Sequence, residues 1–153
     1  MKITKTTNPI HFEDLDPMRF EDLAFSILYR IKKWHSINHL GRSGNDGGID
    51  IDGTEINEDK SITKWLIQCK RYQKIGPKLA ESIVRELNKK NPKFEYFHLI
   101  ISCPLSRSGH EKLESLKVEL GIKEILIWTN SHLEAMLYHE LPDLLNIYFG
   151  IKT

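Results

Sequence analysis

Lys64 to Tyr72 reads KWLIQCKRY, and the way its side chains sort decides the fold. Side chains alternate across a strand, so Trp65, Ile67 and Cys69 share one face, while Lys64, Leu66, Gln68 and Lys70 share the other. The first face is apolar. The second ends in an amide and an ammonium two residues apart. Upstream, Gly41 to Asp52 reads GRSGNDGGIDID, with four glycines and three aspartates in front of one short strand. Alternation there puts Ile49 and Ile51 toward the core, with Asp50 and Asp52 opposite. A hairpin of the two strands gathers Asp50, Gln68 and Lys70 on one face of a sheet whose other face is greasy.

The charges around this hairpin are segregated. Six carboxylates fall between Asp46 and Asp59 with no basic residue among them, and five basic residues fall between Lys64 and Lys78 with no acid. An acidic cluster beside a basic one suits a metal ion that holds a phosphate. A solvated hairpin of mixed charge accounts for the same counts, and the net charge of +1 decides nothing.

Working outward, Asp16-Pro17 is a helix start, a capping carboxylate before a proline whose missing N–H costs nothing there. Phe20, Leu23, Ala24, Ile27, Leu28 and Ile31 form one apolar stripe, predicting a helix from Pro17 to Lys33. On a wheel of 100° per residue centred on Phe20, Glu21 falls at about 100°, bordering the buried face, and Asp22 at about 200°, facing solvent. WHSINHL reads as a strand ending at Gly41, and the polar GTEINEDKSIT joins the two hairpin strands. After Gly76-Pro77, KLAESIVRELNKK is an amphipathic helix. YFHLIISC is a strand covered on both faces. A helix to Gly121, the strand EILIWT, a helix capped by Ser131, and PDLLNIYFG follow. The order implies an α/β domain, a mixed sheet with an antiparallel hairpin at one side, flanked by helices. Trp34, Trp65 and Trp128 sit in strand-like segments and are expected in the core.

At 153 residues, with 40% apolar and 28% charged content, the chain reads as one globular domain over residues 1–153. No apolar run reaches membrane-spanning length, and MKITKTTNPIHF lacks a signal-peptide core, so a cytoplasmic protein without a membrane is expected. Cys69 and Cys103 are expected to be reduced core residues. The glycine loop is no P-loop, since no Gly-Lys-Ser/Thr follows, and no dinucleotide fingerprint, since it leads into an extended segment. Twelve-residue windows from Asp46 or Asp50 end on Asn57 or Ser61 rather than glutamate, which excludes a calcium loop. The histidines show no HExxH and two lone cysteines make no zinc site.

FEDLAFSIL, GNDGGIDIDG and WLIQCKRY, in this order and spacing, resemble the Mrr-like branch of restriction endonucleases within the PD-(D/E)xK nuclease superfamily. The resemblance is close from Phe20 to Tyr72 and loose from Ile75 to Thr129. It implies a restriction-endonuclease-like fold and a site of Glu21, Asp50, Gln68 and Lys70. Gln68 departs from the superfamily at large, where a carboxylate is usual; QxK is common in the Mrr branch. The implied cation is Mg²⁺ or Mn²⁺, held by Asp50, Gln68 and the backbone carbonyl of Cys69, with Asp46 and Asp52 as understudies. The implied partner is double-stranded DNA. Arg42 and Ser43 in the loop, then Arg71, Tyr72, Lys74 and Lys78, are its candidate contacts; an ordinary solvated role remains open for each. The resemblance further implies a homo-oligomer and fusion to a sensor or regulatory domain in a longer protein. Two rival readings stay open, a nuclease acting on RNA or branched DNA, and an inactive nucleic-acid-binding or assembly module.

Overall fold

The computed structural model describes residues 9–40 and 48–152. A single 3-10 turn, Phe12–Asp14, leads into α1 (Pro17–Ile31). The Asp16 carboxylate accepts from the Arg19 N–H at 2.8 Å, so the expected cap forms. The helix ends at Ile31 rather than Lys33. The Trp34 indole N–H donates to the Leu28 carbonyl at 2.8 Å and takes the acceptor that a further helical N–H would use.

Five strands form one sheet in sequence order: β1 (Ser36–His39), β2 (Ile51–Ile56), β3 (Ile62–Lys70), β4 (Tyr96–Ile101) and β5 (Glu124–Trp128). β1, β2 and β3 pair antiparallel; β3, β4 and β5 pair parallel. The sheet is therefore mixed, with the antiparallel hairpin at one side. That hairpin is longer than GTEINEDKSIT implied. Thr54 to Ile56 pair with Ile62 to Lys64, and only Asn57–Ser61 turn. The polar residues there occupy an exposed end of the ribbon, where polarity and strand pairing are compatible.

The parallel strands are joined by α2 (Pro77–Lys90) and α3 (Arg107–Leu120), and the chain ends in α4 (Asn130–His139) and α5 (Pro142–Phe149). Thr129, not Ser131, caps α4; its backbone N–H is held by the His132 side chain at 3.1 Å, so the capping box begins two residues earlier than the serine implied. Two cores lie on opposite faces of the sheet. Leu66, Phe97, Leu99 and Ile101 pack with α2 and α3. Trp65, Ile67 and Ile100 pack with α1, α4 and α5. β4 is buried on both sides, which is why its sequence is a continuous apolar run. Trp34 and Trp128 are half-buried rather than core, and Trp34 precedes β1 instead of lying in it. Both cysteines are free thiols. Among the described residues no helix is long and apolar enough to cross a membrane.

Candidate active site at the end of strand β3

Asp50 lies in a bend immediately before β2. Its N–H donates to the Ile67 carbonyl at 3.0 Å and its carbonyl accepts from Leu40 at 2.8 Å, so its backbone is fixed between β1 and β3. Ile49 packs in the α2-side core and Ile51 in the α1-side core, so the two isoleucines do not share a face as alternation implied. The chain turns at Gly48, whose φ of +82° is a left-handed value that a side chain resists. The turn directs the Asp50 carboxylate along the end of β3, where Oδ2 accepts the Cys69 backbone N–H at 2.7 Å. Cys69 is the residue between Gln68 and Lys70, so Asp50 stands beside both.

Gln68 is 5% exposed. Its Nε2 donates to the Gly48 carbonyl, which fixes the amide orientation, because a flipped amide would set two oxygens against each other. Oε1 is then buried with no hydrogen-bond partner among the described residues. An unpaired buried acceptor costs about 1–3 kcal/mol. Gln68, Lys70 and Tyr72 line a cleft of about 210 Å³ whose far wall is α2. Ser82, Glu86 and Lys90 stand there at successive four-residue intervals, one stripe of the helix. Lys90 was not singled out from sequence. Its Nζ would lie 3.9 Å from a Cβ placed on Gly48, so the ammonium hangs over the same loop that holds Gln68.

Burial raises the Cys69 thiol well above its ordinary pKa; Asp50 and then Glu21 push it further and Lys70 opposes them. The thiol therefore stays protonated and is no nucleophile. The same interactions place Glu21, Asp50 and Lys70 around one residue. Backbone groups of β3 alternate in direction, and the Cys69 carbonyl points to the same side as its N–H, toward the Asp50 carboxylate.

Glu21 reaches this end of the sheet from α1. Its Oε2 lies 3.2 Å from His39 Nε2, and the Phe25 ring stacks on the imidazole at 5.4 Å. His39 was missed as a site residue; its only signal in sequence is its position two residues after Ile37, on the inward side of β1. Asp22 does not face solvent as the wheel implied. Its side chain is 25% exposed and Oδ1 lies 3.8 Å from His39 Nδ1, because β1 packs against that edge of the helix. Asp52 pairs with the Asn38 amide at 3.0 Å, across from Leu66 and away from Cys69.

Of the candidate DNA contacts, Tyr72 lines the cleft, whereas Arg71 turns away and donates to the Glu13 carbonyl at 3.0 Å. Lys74 and Lys78 are exposed. Arg42, Ser43 and Asp46 lie outside the described residues.

Among the described residues no group of three His, Cys, Asp and Glu side chains is placed to hold a metal ion. The oxygens available at this end of β3 are the Asp50 carboxylate on the Cys69 N–H, the Gln68 amide oxygen without a partner among the described residues, and the Cys69 backbone carbonyl. All are hard oxygens. That set fits Mg²⁺ or Mn²⁺ bound with water and substrate phosphate, and it does not fit a closed all-protein cage.

The Mrr catalytic-domain family model, described as a restriction endonuclease, matches residues 12–136. The chain belongs to this family. Membership makes this a domain of restriction-endonuclease type. Its fold is similar to that of the MspJI restriction endonuclease solved in complex with a 27-mer oligonucleotide, with a TM-score of 0.53 and 19% identity over 92% of this chain and 33% of that one. It is also similar to the DNA modification-dependent restriction endonuclease AspBHI, with a TM-score of 0.58 and 15% identity over 87% of this chain and 34% of that one. These likenesses show the fold, and the chain spans about a third of each of those proteins. No curated protein matches the chain.

Proposed function

We propose that the Mrr-type domain is a divalent-metal-dependent endodeoxyribonuclease that hydrolyses phosphodiesters of double-stranded DNA. Asp50, Gln68 Oε1 and the Cys69 carbonyl would hold the cation. When bound, such a cation neutralises phosphoryl charge and acidifies water. The observation that carries the reading is the Asp50 carboxylate on the Cys69 N–H, between Gln68 and Lys70. Lys70 presents its ammonium in the cleft, where it stabilises the charge that grows on the phosphoryl oxygens and the leaving oxygen. Glu21 acts from the other side of the β3 terminus as a positioning group for water, held in place by His39.

With one carboxylate and a neutral amide, the cation is bound weakly until a phosphate joins it. We read the domain as a cytoplasmic restriction or defence effector, controlled by self-association and by a sensor or regulatory domain in a longer protein. A second reading has one observation behind it. Gln68 already bonds Gly48 and supplies no charge, as in a binding module that has given up catalysis.

Supercoiled plasmid incubated with Mg²⁺ or Mn²⁺ separates the two. Wild type is expected to nick and linearise it, and Asp50→Ala and Lys70→Ala each to lose about 10²–10³-fold or more. Wild type that assembles and binds DNA but cuts no nucleic acid supports the inactive module. Preference for RNA or branched DNA redirects the substrate.

A further inference from the structure

Beyond the catalytic cluster, the α2 face of β3 carries a row of cations. Even-numbered residues of β3 point to that face, so Lys64 and Lys70 stand on it about 20 Å apart at 3.3 Å per residue. Between them the surface is hollow. The cleft under Gln68 and Lys70 is followed by a second cavity of about 340 Å³, lined by Lys64, Leu66, Asn91, Lys93 and Phe94. Along the helix wall Lys90 belongs to the first cavity and Asn91 to the second; along the strand wall Gln68 belongs to the first and Leu66 to the second. Lys70, Lys90, Lys93 and Lys64 therefore succeed one another along one groove.

Their setting differs from that of the basic residues held between α2 and α3. On the outer side of α2 and α3, Arg85 is bound by Glu81 and Glu119, and Lys112 lies near Glu81. None of the four groove lysines is held in an ion pair with a described residue. Among the described residues two carboxylates border the groove, and Glu95 is neutralised by Lys123 at 2.5 Å, which leaves Glu86. A line of ammonium groups with little opposing charge matches a polyanion of regular spacing rather than a compact ligand.

We propose that this groove is a phosphate track that takes the DNA strand leaving the scissile phosphate, running from Lys70 past Lys90 to Lys93 and Lys64 at the hairpin end. The assignment rests on the nuclease reading for its starting point and runs the opposite way from Lys74 and Lys78. Contacts of this kind set the register of the strand and carry no sequence information.

The test is equilibrium binding of a labelled DNA duplex across a salt series, with Ca²⁺ in place of Mg²⁺. The chain is compared with Lys64→Gln/Lys90→Gln/Lys93→Gln and with a charge-matched control, Lys33→Gln/Lys117→Gln/Lys152→Gln. The track variant is expected to bind about tenfold or more weakly, with the slope of log K against log salt reduced by about 2–3, at 0.9 per phosphate contact. The control keeps the wild-type slope, and Lys64→Arg/Lys90→Arg/Lys93→Arg restores it. A wild-type slope in the track variant, an equal loss in the control, or no DNA binding by wild type overturns the track. Cleavage in Mg²⁺ is read in parallel. A slope change without cleavage refutes the nuclease reading and leaves the track, whereas cleavage with an unchanged slope refutes the track alone.

Discussion

Gln68 and His98 occupy neighbouring strands on opposite faces of the sheet, and each buries a polar atom without a partner among the described residues. Their surroundings differ in kind. His98 stands perpendicular to Trp128 at 4.2 Å and inclined at 66° to Trp65 at 6.2 Å. Burial, and then the nearby Lys32 and His132, hold its pKa down to about 3, so the ring is neutral at neutral pH. A neutral imidazole between two indoles can replace a hydrogen bond by weaker contacts with aromatic rings. Gln68 has no such neighbours. It lines a cleft together with Lys70, and the N–H of the next residue, Cys69, is held by the Asp50 carboxylate. The two orphaned atoms thus separate by surroundings, one among aromatic rings and one on a residue that lines a cleft.

The comparison is broken first at Gln68. Gln68→Leu should lower plasmid cleavage about 10²–10³-fold while changing unfolding free energy by less than about 1 kcal/mol, because the unpaired amide leaves with its own cost. A loss of stability above about 3 kcal/mol in chemical denaturation, with residual cleavage intact, would make Gln68 structural instead.

His98 should show the reverse pattern. Its folded pKa lies below the unfolded value of 6.5, so the unfolded chain binds the extra proton between about pH 3 and 6.5. Its contribution is present above pH 6.5 and is lost as pH falls through that window, by about 1.4 kcal/mol per pH unit. Denaturation curves of His98→Leu should lack that slope between pH 6 and 4, and cleavage at neutral pH should stay near wild type. Parallel pH profiles for the two proteins would contradict this.

The smallest effect is at the glycines. Gly48→Ala forces a side chain onto φ +82° and sets its Cβ 3.4 Å from Gln68 Nε2, costing about 1 kcal/mol and some cleavage. Gly53→Ala meets Trp34 at 2.6 Å on the other face and should cost stability in thermal melts with activity per folded molecule unchanged.

The mixed sheet was readable because its signals are local. Period-two alternation in KWLIQCK, the unbroken apolar run of β4 and the Asp16-Pro17 cap each act within a few residues. The convergence of Gln68 and Lys70 follows from the same alternation. What alternation could not convey is the turn at Gly48, which sends Ile49 to the opposite core from Ile51 and aims Asp50 along the strand end. Packing across elements was also invisible. His39 meets Glu21 only because β1 closes on α1, and Lys90 joins the cleft only because α2 returns beside β3. Arg71 shows the same limit, since its partner is a backbone carbonyl 58 residues away.

The most direct measurement is the anomalous scattering of Mn²⁺ in crystals of the chain with a non-hydrolysable phosphorothioate duplex. The expected peak lies within one coordination sphere of the Asp50 carboxylate and Gln68 Oε1 and disappears in Asp50→Ala. A peak seated elsewhere, such as between Glu21 and Asp22, or one that persists unchanged in Asp50→Ala, would contradict the assignment.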